Sequence, residues 1–126
     1  MLNWLEKKYE ISLMITILGA IAIFYLSSLT FEGTSYGNST IIYHFLAFFL
    51  LTFFLQVSCL RGNKRLGIFF LALLLLILYG VLDEFHQFFV PGRIFSFVDM
   101  LINSLGIFFS SALYLLSIEV RVKKIN

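Results

Sequence analysis

Apolar residues run through this chain in long unbroken blocks, without the strict alternation of a half-buried strand. Four blocks, at about 11–30, 41–60, 66–89 and 97–118, each reach the roughly 20 residues a helix needs to cross a hydrocarbon core. Continuous apolarity argues against a transmembrane barrel, whose strands alternate lipid-facing and lumen-facing side chains. The connections are short, so consecutive helices are expected to run antiparallel in one all-α bundle, a single membrane domain over residues 1–126. No long linker, low-complexity tract or repeat interrupts the pattern.

Composition makes the solvent explicit. Of 126 residues, 60% are hydrophobic and 13% charged, where ordinary soluble domains carry roughly 25% charged residues. A soluble fold of this length leaves too much of its surface exposed to hide that much apolar area. The expected fold is therefore a polytopic four-helix membrane bundle, with the lipid bilayer as its first partner. The first block follows Lys7 and Lys8 as a signal peptide would. Its apolar run is too long, and no small-x-small cleavage site follows it cleanly, so it is expected to remain as a span.

Charge then orients the spans. Lys7 and Lys8 precede the first; Arg61, Lys64 and Arg65 join the second and third; Arg121, Lys123 and Lys124 follow the fourth. All of these lie on one side, and only Arg93 lies on the other. The positive-inside rule predicts a multi-pass cell-membrane protein with both termini and the 61–65 loop in the cytoplasm. The connections around 31–40 and 90–96 are expected outside. The net charge of +2 thus reflects topology and gives no reason to expect a nucleic-acid partner. Cys59 is alone, which excludes an internal disulfide framework. The acceptor triplet Asn38-Ser39-Thr40 abuts the membrane and carries no weight.

The ionisable residues inside the spans share one depth. Asp83, Glu84, His86 and Gln87 fall in the last two turns of the third span, and Asp99 and Asn103 in the first two turns of the fourth. His44 opens the second span, and Ser27 and Ser28 close the first. Every helix delivers polar groups to the same, outer, layer. At about 100° per residue, Asp83, Glu84, His86 and Gln87 occupy one arc, while Phe85 and Phe88 point elsewhere. Asp99, Asn103, Gly106 and Ser110 form one stripe on the fourth span, expected to face the bundle because a carboxylate in lipid costs roughly 2.5–3.5 kcal/mol. Small residues and amides also serve helix packing in membranes, and Asn103–Gly106–Ser110 reads equally well that way.

Three carboxylates, two imidazoles and a guanidinium are more than a bundle needs in order to pack. Close carboxylates in a partly dry site cannot all ionise cheaply. Pro91-Gly92 predicts a tight turn that sets the two polar segments side by side and hangs Arg93 above them. The Arg93 fork suits a carboxylate of the cluster or an anionic ligand, and both readings stay open. Asp83, Glu84, His86 and Asp99 are the catalytic candidates, with His86 and a neighbouring carboxylate as the acid–base pair. His44, Gln87, Arg93 and Asn103 are the ligand-binding candidates. Asp83-Glu84-x-His86, completed by His44 or Asp99, has the donor types for a divalent cation. It matches no strong metal signature, so no metal site is assigned and no cofactor is identified. No activated serine or cysteine motif and no phosphate-binding glycine loop is present. A proton relay would need ionisable partners in the inner halves of the spans, which hold none.

The series Asp83-Glu84-x-His86-Gln87, Pro91-Gly92-Arg93, Ser96, Asp99 and Asn103-x-x-Gly106 resembles the VanZ-like family of small membrane proteins. His44-Phe45 at the start of the second span and Ser27-Ser28 at the end of the first are similar to that family's pattern as well. One departure is that Ile41, Ile42 and Tyr43 stand where a basic residue often precedes the family's His-Phe pair. The family takes its name from a protein linked to low-level resistance to teicoplanin, a glycopeptide that binds peptidoglycan precursors outside the cell. The resemblance implies a role at the bacterial envelope, with a lipid-linked cell-wall precursor or a glycopeptide as the partner and antibiotic resistance as one outcome. Two functions remain: a binding protein for such ligands, or a small membrane enzyme, hydrolase or group transferase, using His86 with Asp83, Glu84 or Asp99.

Overall fold

The computed structural model describes residues 1–29 and 38–125. Of the connection expected over 31–40, residues 31–37 and the Asn38 and Ser39 side chains of the acceptor triplet fall outside the described residues, while the backbone of 38–40 is already helical. The described chain is helical between its turns: α1 (Leu2–Lys7), α2 (Tyr9–Ser27), α3 (Asn38–Leu60), α4 (Leu66–Phe88) and α5 (Phe97–Ile125). Four helices are long and apolar enough to cross a membrane: Tyr9–Ser27, Thr40–Leu60, Leu66–Phe88 and Phe97–Lys124. The expected all-helical, four-span fold is what forms. Its last helix runs past residue 118 because Glu119, Arg121, Lys123 and Lys124 are tolerant helix residues, and lysines in a last turn favour the helix dipole.

α1 was not expected as a separate helix. The backbone breaks at Lys8 (φ −100°, ψ 50°), which lets α1 turn Leu5 into a core cluster with Val57, Leu60, Phe69, Tyr114 and Ile118. Glu6 enters with it, accepting the Tyr114 hydroxyl at 2.8 Å and both Arg121 terminal nitrogens at 2.6 and 2.7 Å. A second cluster, Ile23, Phe48, Leu51, Leu76 and Ile107, joins all four long helices nearer the other end. Large apolar side chains outside these clusters face outward, Phe70, Leu82, Phe88, Leu101 and Phe108 each being more than 60% exposed. Such a surface fits hydrocarbon and would be costly in water.

The most extensive interface joins α3 and α5. Its pairs, His44 with Asn103 and Gln56 with Ser111, advance in the same direction along both helices, so the two run parallel. Gly106 sets their separation. A Cβ there would lie 2.5 Å from the Phe45 carbonyl oxygen and 3.1 Å from the Phe49 nitrogen. The packing role considered for the Asn103–Gly106–Ser110 stripe is thus real at Gly106. Val90-Pro91-Gly92-Arg93 then reverses the chain from α4 to α5. Gly92 holds φ 82° and the Arg93 N–H donates to the Val90 carbonyl at 3.1 Å, the turn expected of a Pro-Gly pair.

Candidate functional site

Helix geometry sorts the polar segment of α4 as its periodicity predicts. Asp83, Glu84 and Gln87 are buried, His86 is half-buried, and Phe85 and Phe88 are exposed. Across the turn, Asp99 and Asn103 are buried on α5, and His44 is buried on α3, one turn and a half into its helix. These groups gather at one end of the bundle, the end opposite Glu6 and Arg121. Their shared depth holds.

His44 is at the centre of the group. Its Nδ1 bonds Asn103 Oδ1 at 3.0 Å and stands 4.0 Å from Glu84 Oε1; its Nε2 stands 3.8 Å from Asp99 Oδ2. An amide oxygen only accepts, so the bond to Asn103 puts a proton on Nδ1, and in the neutral imidazole the Nε2 lone pair is then on the Asp99 side. His44, Glu84 and Asp99 each offer one ligand atom, and these atoms all lie within 4.8 Å of one another. Glu84 is wholly enclosed, at 0% exposure.

Around this centre the remaining polar groups position it. Gln87 Nε2 donates to Asp83 Oδ2 at 3.2 Å and to Glu84 Oε1 at 3.4 Å, tying two acids on one helix face through one amide. The Ser96 N–H donates to Glu84 Oε2 at 3.3 Å, while Ser96 Oγ accepts the Asp99 N–H at 3.1 Å. Ser96 is therefore the N-cap of α5, serving the third helical residue as capping serines do. Sequence reasoning left this role unread, although Ser96-x-x-Asp99 ahead of an apolar run is the pattern that marks such a start.

His86 and Arg93 face α2. His86 Nε2 bonds Ser28 Oγ at 2.9 Å, and its ring stacks on Phe24 with centroids 4.4 Å apart. Arg93 donates from Nε to the Leu29 carbonyl at 3.1 Å and from a terminal nitrogen to the Leu26 carbonyl at 3.3 Å. A guanidinium satisfying carbonyls at a helix C-terminus is favourable both as hydrogen bonding and against the helix dipole. The eight candidates thus come to one end of the bundle in two arrangements. His44, Glu84, Asp99 and Asn103, with Asp83 and Gln87 beside them, make the buried centre. His86 and Arg93 anchor the end of α2 along its flank.

Chemically, the centre can bind a cation through imidazole and carboxylate, or hold an imidazole whose tautomer is set by an amide for acid–base work. The model of the VanZ/LLP1 family matches residues 6–118, which include every member of both arrangements. No curated protein and no solved structure matches the chain.

Proposed function

The chain belongs to the VanZ/LLP1 family, and from that premise we propose that it works in the outer leaflet of a bacterial cell membrane, binding the polar head of a cell-envelope ligand. The ligand class is a lipid-linked peptidoglycan precursor or a glycopeptide, and glycopeptide resistance is the phenotype that sequestering or presenting such a ligand would produce. One observation carries the reading: three helices of a lipid-facing bundle deliver His44, Asp83, Glu84, Asp99 and Asn103 to a single depth. The basic residues 7–8, 61–65 and 121–124 support an orientation with the termini in the cytoplasm and this group outward. A head group rich in hydroxyls and amides would donate to the carboxylates, while its phosphate or carboxylate would meet Arg93 at the rim.

The test is thermal unfolding of purified protein in detergent with lipid-linked precursor or with teicoplanin, against Glu84→Gln and Arg93→Gln. Stabilisation of the wild type that falls in both variants supports the reading. An identical response from all three proteins defeats it.

A second reading, a small membrane hydrolase or transferase, is favoured by one contact. His44 is held by Asn103 with Nε2 3.8 Å from Asp99, the geometry of an oriented acid–base imidazole. In that case the role envisaged for His86 passes to His44. Turnover of an envelope lipid in reconstituted vesicles should then vanish in His44→Gln and persist in His86→Gln.

A further inference from the structure

We propose that His44, Glu84 and Asp99 bind one divalent transition-metal cation of the zinc or manganese class, with Asn103 as the residue that orients the imidazole. The distances carry it first. His44 Nε2 lies 3.8 Å from Asp99 and its Nδ1 lies 4.0 Å from Glu84, both beyond the roughly 3.2 Å limit of an N–H···O hydrogen bond. Ligand atoms held at about 2.0–2.2 Å from a shared ion stand roughly 3–4 Å from one another. One atom from each residue lies within 4.8 Å of the other two, so small side-chain rotations bring all three onto one ion.

Two further observations point the same way. Asp83 Oδ1, an acceptor, is buried beside the group without a hydrogen-bond partner among the described residues, a condition proteins rarely leave uncompensated. Charge is the other. With both imidazoles neutral, ionising Asp83, Glu84 and Asp99 together would outweigh Arg93 by two negative charges, and buried net charge is expensive within a membrane. A divalent cation balances that excess.

The donor set selects the metal. An imidazole disfavours magnesium and calcium, which prefer all-oxygen shells, whereas imidazole with carboxylates suits zinc, iron or manganese. The Nδ1 contact to Asn103 is the outer-shell bond that metal-binding histidines make, and it leaves Nε2 to ligate. Three protein ligands leave at least one coordination position for water or an incoming group, the open arrangement of catalytic sites. This inference stands apart from the envelope-ligand reading, because its readout is the metal alone.

The experiment uses full-length protein in detergent, stripped with EDTA and then titrated with zinc or manganese, with magnesium as the comparison. Metal content by mass spectrometry should approach one ion per chain, with a rise in melting temperature for zinc or manganese and little for magnesium. Glu84→Gln, Asp99→Asn and His44→Gln should each weaken binding at least tenfold, and His86→Gln should bind as the wild type does. Substoichiometric metal with no thermal response in the wild type overturns the proposal, as does loss in His86→Gln with retention in His44→Gln. Should the variants not fold, pulsed EPR of manganese-loaded wild type decides the matter. Imidazole nitrogen coupling supports the site, and an all-oxygen spectrum overturns it.

Discussion

Gly106→Ala is the sharpest test of how the bundle is held. An added Cβ would stand 2.5 Å from the Phe45 carbonyl oxygen and 3.1 Å from the Phe49 nitrogen. Carbon–oxygen contacts of this kind settle at about 3.3–3.6 Å, so α5 must withdraw from α3 by close to ~1 Å. Both obstructing atoms are helix backbone and cannot rotate aside. Overpacking of this sort costs about 1–3 kcal/mol, and a rigid backbone neighbour places the cost near the upper end. Alanine returns about 1 kcal/mol through helix propensity. The net expectation is a loss of about 2 kcal/mol, about thirtyfold in the folding equilibrium. The damage should reach the site as well, since the 3.0 Å bond from His44 to Asn103 lies less than one turn from the glycine. The assay is unfolding in mixed micelles of mild detergent and dodecyl sulfate, followed by far-ultraviolet circular dichroism. Gly67→Ala is the control, because nothing lies within 4 Å of a Cβ there and that variant should match or exceed the wild type. If Gly106→Ala proves as stable as Gly67→Ala, the close-contact account is wrong.

Three further changes test other parts of the molecule. Glu6→Gln removes the charge and one of the two oxygens that accept from Tyr114 and Arg121 and should cost about 1–2 kcal/mol, reduced from the fully buried case because Arg121 is partly exposed. A double-mutant cycle with Arg121→Gln should show coupling, and simple additivity would contradict the pairing. Gly92→Ala forces a side chain into φ 82° and should destabilise by about 1–2 kcal/mol in the same micelle assay. Ser96→Ala removes the α5 cap and should cost about 1 kcal/mol, largely restored by Ser96→Asp. Equal losses from both Ser96 variants would refute the capping role.

The layer of polar groups was legible because it depends on chain-local quantities: block length, helical period and the side on which lysines and arginines fall. Helical period also exposed the inward stripe of α5, and the backbone preferences of proline and glycine marked the Pro91-Gly92 turn. Which histidine meets the carboxylates was not legible. His86 is two residues from Glu84 in sequence, yet a helix turns that spacing into a wide angle, and His86 bonds Ser28 of α2. His44 is 40 residues away from Glu84 and reaches it only because α3 packs against α4 in the folded bundle. The relative rotation of helices is a property of the packed bundle, and no local pattern encodes it. α1 escaped notice for a similar reason. Glu6 beside Lys7 and Lys8 reads as a flanking charge, and its partners Tyr114 and Arg121 lie 108 and 115 residues along the chain.

The two ends of the bundle treat buried acid groups in opposite ways, and the contrast bears on function. Glu6 is a carboxylate satisfied for structure. A hydroxyl and a bidentate guanidinium approach within 2.6–2.8 Å, and the acid clamps α1 and α5 together. At the other end Glu84 is more deeply enclosed, yet among the described residues its hydrogen-bond donors are one amide at 3.4 Å and one backbone N–H at 3.3 Å, with His44 standing off at 4.0 Å. Packing alone gives no reason to enclose an acid so completely while leaving its imidazole neighbour out of hydrogen-bond contact, since an apolar side chain of the same volume would fill the space at lower cost. The chain can build a saturated carboxylate and does so where only cohesion is needed. Holding Glu84 and His44 close and buried without a direct bond between them is the arrangement that the proposed shared cation would require.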